Sequence, residues 1–135
     1  MTEELCFTPA VELATRIRNG TLSPVTVVDA FLDRIDRVNP KINAYVTVLD
    51  EHARDQARKA EAALRNGEKV GPLHGVPVAI KDLVDVEGVR TTAGSKLRAD
   101  NVATQDDVVV QRLRDAGAIV LGKTNTPEFG RKPMT

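Results

Sequence analysis

Two short apolar runs, Val76–Ile80 and Ala118–Leu121, flank a helical pattern that spans Thr104 to Ala116. That strand–helix–strand order constrains the fold more than any other feature of the chain. Turn residues lead into each run, Gly71, Pro72 and Gly75 before the first and Gly117 before the second, as expected of short strands. Two strands joined by a helical crossover run parallel, and the crossover is right-handed. The stretch from Val76 to Leu121 therefore reads as half of an open parallel sheet. A sheet of two or three strands with free edges is a poor independent fold. It should aggregate, stay partly unfolded or recruit a partner strand.

Within the first run, Val76, Val78 and Ile80 share one face at the period of two. Lys81 follows at the C-terminal end, where open α/β sheets usually carry their chemistry. At the mouth of an apolar wall a lysine loses hydration, which favours the neutral amine, and a neutral amine is a base. The same pattern also suits a lysine that simply leaves the strand and reaches water along its alkyl stem, the commoner fate of a strand-ending charge. Behind it, Thr91-Thr92-Ala93-Gly94-Ser95 is a hydroxyl- and glycine-rich loop. Such a loop can orient a substrate through its backbone N–H groups, or be only a loop.

The N-terminal half reads as helical. A first helix is expected from Thr8 to Asn19, with Thr8 as cap, Pro9 in the first turn and Gly20 as the stop. A second starts at Ser23-Pro24 and ends at Asn39-Pro40, because the residue before proline resists the helical region. Ala44–Leu49 reads as a short strand, and a third helix runs from Asp50 to about Asn66 with Ala53, Ala57, Ala60 and Leu64 on a narrow face. In the later helix, Thr104–Ala116, Asp106 and Asp107 complement the first turn, and Val109, Leu113 and Ala116 face inward. His52 and His74 read as solvated or structural.

Charge and cysteine content then exclude function classes. Nineteen basic residues balance nineteen acidic ones, so no general cationic surface for nucleic acid is expected. Lys123, Arg131 and Lys132 read as solvated surface. The single cysteine, Cys6, rules out an intrachain disulfide and a thiolate zinc cage; no cofactor and no metal is expected. The N-terminus has no signal-peptide core, and no run reaches the length of a membrane span. The expectation is a cytoplasmic protein.

Three blocks carry a family resemblance. They are Ser23-Pro24 through Arg34-Ile35 to Asn39-Pro40 and Asn43-Ala44; Gly71 to Asp82, with Thr91–Ser95 behind it; and Gly117 to Gly130. In that order they resemble the amidase signature family, over essentially the whole chain. The resemblance implies an α/β fold, with N-terminal helices followed by part of a mixed or parallel sheet containing a βαβ unit. Residues 1–135 would be the N-terminal segment of a single such domain, 8–70 mainly helical and 71–135 opening the α/β core.

Members of the family hydrolyse amides with a Ser–cis-Ser–Lys triad. By resemblance Lys81 is the triad lysine, and Ser95 and Asn125 hold supporting positions. Both triad serines belong to a glycine- and serine-rich motif that normally follows this region and does not occur in this sequence; Ser23 and Ser95 do not match its context. The chain is therefore expected to be inactive alone, with a small amide as the substrate of the whole enzyme. A second copy of the chain or a missing C-terminal portion is the expected partner, and neither nucleic acid nor membrane is expected as a direct one. The motifs equally fit the A subunit of the tRNA-dependent amidotransferase, which uses the triad on glutamine with B and C subunits. A non-catalytic remnant or assembly fragment is the third reading.

Overall fold

A computed structural model describes residues 2–132. Met1 and the terminal Pro133–Thr135 lie outside the described residues. The elements are α1 (Thr2–Leu5), α2 (Ala10–Arg18), α3 (Pro24–Ile42), β1 (Tyr45–Val48), α4 (Asp50–Arg65), β2 (Pro77–Lys81), α5 (Val108–Asp115) and β3 (Ile119–Thr124), with short 3-10 turns at Lys96–Arg98 and Glu128–Gly130. The sheet order is β1-β3-β2. β2 and β3 are parallel, as the βαβ pattern requires, and β1 joins antiparallel on the other side of β3.

β3 is central and covered on both faces, which is why its sequence is a continuous apolar run. Ile119 and Leu121 pack with Val28 and Leu32 of α3 and with the alanine face of α4. Val120 packs on the opposite face with Ile80, Val86 and Val110 of α5. A third cluster joins Leu5, Leu13, Ile17, Val27 and Val76, so α1, α2 and α3 close over the entrance to β2. One extra residue of β3 stands opposite β2 where Val78 pairs with Val120 and Ala79 with Gly122. At this bulge a Cβ on Gly122 would lie 2.1 Å from the Thr47 carbonyl oxygen, so only glycine fits.

Several helix boundaries differ from the sequence reading. Thr8 is not a cap: Pro9 holds that position, and the Thr8 hydroxyl donates backward to the Glu4 carbonyl. Asn39-Pro40 does not end α3. The helix runs on through Pro40 to Ile42 and stops at Asn43, which takes φ 49° as its left-handed cap. Pro40 removes the N–H that would donate to the Asp36 carbonyl, and the helix continues only two residues beyond it. The Asn39 amide then clamps the turn into β1, donating to the Tyr45 carbonyl and accepting from the Tyr45 N–H. α5 starts at Val108, four residues later than expected. Asp107 is its cap, while Asp106 accepts from the Glu87 N–H and pairs with Arg114. That later start turns Val110 and not Val109 inward; Val109 is half exposed.

Ser23-Pro24 behaves as expected. The Ser23 oxygen accepts from the Val25 and Thr26 N–H groups, and its hydroxyl donates to Glu61 at 2.6 Å. Ser23→Ala removes both, and is expected to cost about 1–2 kcal/mol, read as a fall in the urea midpoint; an unchanged midpoint would contradict the cap. The single tyrosine offers a second check. Burial pushes the Tyr45 hydroxyl above its usual range. A raised folded-state value means stability that is whole below the ordinary tyrosine pKa of about 10 and lost as pH climbs through the raised one. Absorbance titration should put its ionisation above that of the unfolded chain, and coincident curves would refute the burial.

Candidate functional site at the C-terminal end of the sheet

Lys81 is the last residue of β2 and stands in register with Thr124 of β3. Its carbonyl accepts from the Val84 N–H at 3.0 Å, which starts the turn that follows. The position is the junction of strand and loop that the sequence indicates. The surroundings are not those of a dehydrated amine: Lys81 is exposed. Ile80 takes the inward side of the pleat, and strict alternation sends Lys81 outward. The described residues therefore give Lys81 its place but no desolvation.

The buried lysine is a different one. Lys123 is 0% exposed, not part of a solvated cluster with Arg131 and Lys132 as the sequence reading had it. It continues central β3, covered on both faces, so its side chain has no route to water. Its ammonium lies 3.0 Å from Asp82 Oδ1 and donates to Thr91 Oγ1 at 2.6 Å and to the Arg90 carbonyl at 3.5 Å. The contact to Oδ1 is an ion pair without hydrogen-bond alignment. Asp82 is 2% exposed and Thr91 0%, so the charges neutralise each other inside the protein. Ile80 and Asp82 are two apart and share a face, whereas Val120 and Lys123 are three apart. The bulge at Gly122 supplies the extra step that brings Lys123 to the side of Asp82.

Asp82 also holds the Thr91–Ser95 loop. Oδ2 accepts from the Thr92 N–H at 3.1 Å and from the Thr92 hydroxyl at 2.5 Å. Its backbone N–H donates to the Thr124 carbonyl, and its carbonyl accepts from the Ala93 N–H, each at 2.9 Å. Ala93 in turn accepts from the Phe129 N–H at 2.8 Å. Ala93 and Phe129 are both left-handed, at φ 53° and 48°, a conformation that costs a non-glycine residue energy and persists only where neighbours enforce it. Gly94 lies between them; a Cβ there would lie 2.5 Å from the Thr126 carbonyl oxygen.

Ser95 is buried. Its hydroxyl donates to Glu128 Oε1 at 2.7 Å and accepts from the Leu97 N–H. Asn125 follows β3; its N–H donates to the Ala44 carbonyl, and its side-chain oxygen accepts from the Thr126 N–H. Lys81, Ser95 and Asn125 thus belong to segments gathered at one end of the sheet, but among the described residues no hydrogen bond joins their side chains. Ser23, the other serine, caps α3. Neither serine is bonded to a lysine. His52 is exposed, and His74 Nε2 lies 2.9 Å from the Ala60 carbonyl, a structural contact just before the start of β2, whereas Lys81 is at its end. Among the described residues no three His, Cys, Asp or Glu side chains converge as a metal needs, and no helix is long and apolar enough to cross a membrane.

What this end of the sheet offers is one exposed amine on a strand end whose neighbours are fixed by a buried ion pair. Sequence reasoning quoted both Asp82 and Lys123 inside its blocks and missed their pairing. No local signal could have found it, since Ala118–Leu121 is no longer than Val76–Ile80; only the central place of β3 in the sheet buries the lysine that continues it, and a buried lysine needs an acid, which Asp82 supplies from the end of the neighbouring parallel strand.

Comparison with known proteins is specific. The family model described as Amidase matches residues 26–135. The acylamidase of Rhodococcus erythropolis is 49% identical over 131 residues, which are 96% of this chain and 28% of that protein. The A subunit of the glutamyl-tRNA(Gln) amidotransferase of Salinispora tropica is 46% identical over 135 residues, 100% of this chain and 27% of that one. Among solved structures, the native peptide amidase from Stenotrophomonas maltophilia superposes with a TM-score of 0.81 at 37% identity, covering 90% of this chain and 25% of that one. The chain thus spans only about a quarter of the length of these relatives.

Proposed function

Because this chain belongs to the amidase family, we propose that it is the N-terminal segment of an amide-bond hydrolase of the Ser–cis-Ser–Lys type, with Lys81 as its base. The observation that carries the reading is the place of Lys81, at the C-terminal end of a parallel strand, inside the block Gly71–Asp82, with the loop behind it pinned. In the proposed reaction the nucleophilic serine gives its proton through the cis serine to Lys81 and attacks the amide carbonyl. The acyl-enzyme forms, ammonia or an amine leaves, and water releases the acid. Lys81 must be neutral when it accepts the proton. Desolvation would then come from the rest of the enzyme closing over this exposed amine. So would the two serines and the backbone N–H groups of the oxyanion hole, because Ser23 and Ser95 are committed elsewhere. Residues 1–135 are read as part of one amidase domain that works in the cytoplasm on a small amide, without a cofactor.

The test is a hybrid in which this chain replaces the corresponding segment of the Rhodococcus erythropolis acylamidase. The hybrid should hydrolyse amides, the 135-residue chain alone should not, and Lys81→Ala in the hybrid should abolish turnover. A folded hybrid that keeps its rate without Lys81 would overturn the reading. Similarity to amidotransferase A subunits supports a second reading, glutamine hydrolysis within an assembly. A hybrid built on the Salinispora tropica protein and assayed for ammonia release from glutamine separates the two.

A further inference from the structure

We infer that Asp82, Lys123 and Thr92 are positioning residues that fix Lys81 and the Thr91–Ser95 loop in one geometry at the end of the sheet. This rests on the reading of Lys81 as the base. Lys81 lies between two fully tied residues. On one side Ile80 is in the β2–β3 ladder. On the other, every polar group of Asp82 is engaged: N–H with Thr124, carbonyl with Ala93, Oδ2 with Thr92 and Oδ1 with Lys123. The peptide planes before and after Lys81 therefore cannot rotate without breaking the β2–β3 ladder or the Asp82 backbone bonds, and the buried ion pair holds Asp82 where those bonds form.

The other end of the network is the loop. Lys123 donates to Thr91, and the Thr92 hydroxyl both donates to Asp82 and accepts from the Gly94 N–H at 3.1 Å. One lysine, one aspartate and two adjacent threonines so fix the distance between the Lys81 backbone and the left-handed Ala93. An ion pair of this kind is a poor way to gain stability, since apolar residues of like volume often serve as well or better. It can fix a position here because each partner is also held by hydrogen bonds, Lys123 by donating to Thr91 and Asp82 by accepting from Thr92. A proton-transfer site needs that: a displacement of about 1 Å can cost on the order of 100-fold in rate.

The two roles separate in a charge-free double variant. Asp82→Leu with Lys123→Met, made in the acylamidase hybrid, removes both charges together and leaves no unpaired charge, although the Thr91 and Thr92 hydroxyls each lose a partner. Positioning predicts a melting temperature near that of the parent, KM within about threefold and kcat lowered by about 100-fold. Thr92→Val is the second variant, keeping the ion pair and the side-chain shape while losing both hydroxyl bonds; kcat should fall by about tenfold and return with Thr92→Ser. Parent-like kcat in the double variant or in Thr92→Val, with Lys81→Ala still inactive, would overturn the positioning role alone. Activity retained in Lys81→Ala would overturn the reading beneath it as well.

Discussion

In the acylamidase hybrid, Lys81→Ala is expected to lower kcat/KM by about 1,000-fold or more, while in the 135-residue chain the same substitution hardly moves the urea midpoint. The two halves of this result have separate causes. A positioned base contributes about 100- to 10,000-fold, and a base that acts as one unit with its nucleophile sits at the upper end of that range or above it. Stability should shift by no more than about 0.5 kcal/mol, because Lys81 is exposed and its amine has no hydrogen bond or ion pair among the described residues. A surface lysine that is irrelevant to fold and indispensable to rate has a catalytic explanation and no structural one. The measurement is a steady-state assay of the hybrid beside a denaturant titration of the 135-residue chain. A large loss of stability would mean that Lys81 serves the fold, and an unchanged rate would remove it from the mechanism.

That separation bears on how far function can be read from a sequence of this kind. The βαβ unit is legible because its signals are local: turn residues, two apolar runs and a helical period between them. Ser23-Pro24 is legible for the same reason, since a cap and its target N–H groups lie within three residues. Boundaries set by distant partners are not. Asn39-Pro40 reads as a stop on local rules, yet the Asn39 side chain is needed at Tyr45 and the helix continues to Asn43, which can adopt φ 49°. Thr104 reads as a helix start, but residues 104–107 are drawn into contact with the 85–87 turn through Asp106 and the Asp107 N–H.

The two lysines show the same limit at the site. Lys81 and Lys123 each end an apolar run in the sequence, and nothing local distinguishes them. The sheet does. β2 is an edge strand, so alternation can send Lys81 to water, whereas β3 is central and a bulge at Gly122 turns Lys123 inward. Family resemblance located Lys81 without describing its surroundings. The desolvation argued from the strand pattern applies, in this structure, to the neighbouring lysine.

Lys123→Ala is expected to cost about 3–5 kcal/mol, as the removal of one partner of a buried ion pair does. It would leave the Asp82 carboxylate at 2% exposure with no counter-charge, and the Thr91 hydroxyl at 0% without its donor. Domains hold about 5–15 kcal/mol in all, so one substitution would remove a large share. The control lies on α4. Lys59 and Asp55 form a pair of similar length, 2.7 Å against 3.0 Å, but with side chains 66% and 44% exposed. Lys59→Ala should cost no more than about 0.5 kcal/mol, because water and salt screen an exposed pair and readily replace it. If distance governed, the two variants would match; if burial governs, they differ several-fold. Urea titrations of both would decide, and a Lys123→Ala chain as stable as Lys59→Ala would mean that the carboxylate of Asp82 finds water in solution and that the loop behind Lys81 is not held as described.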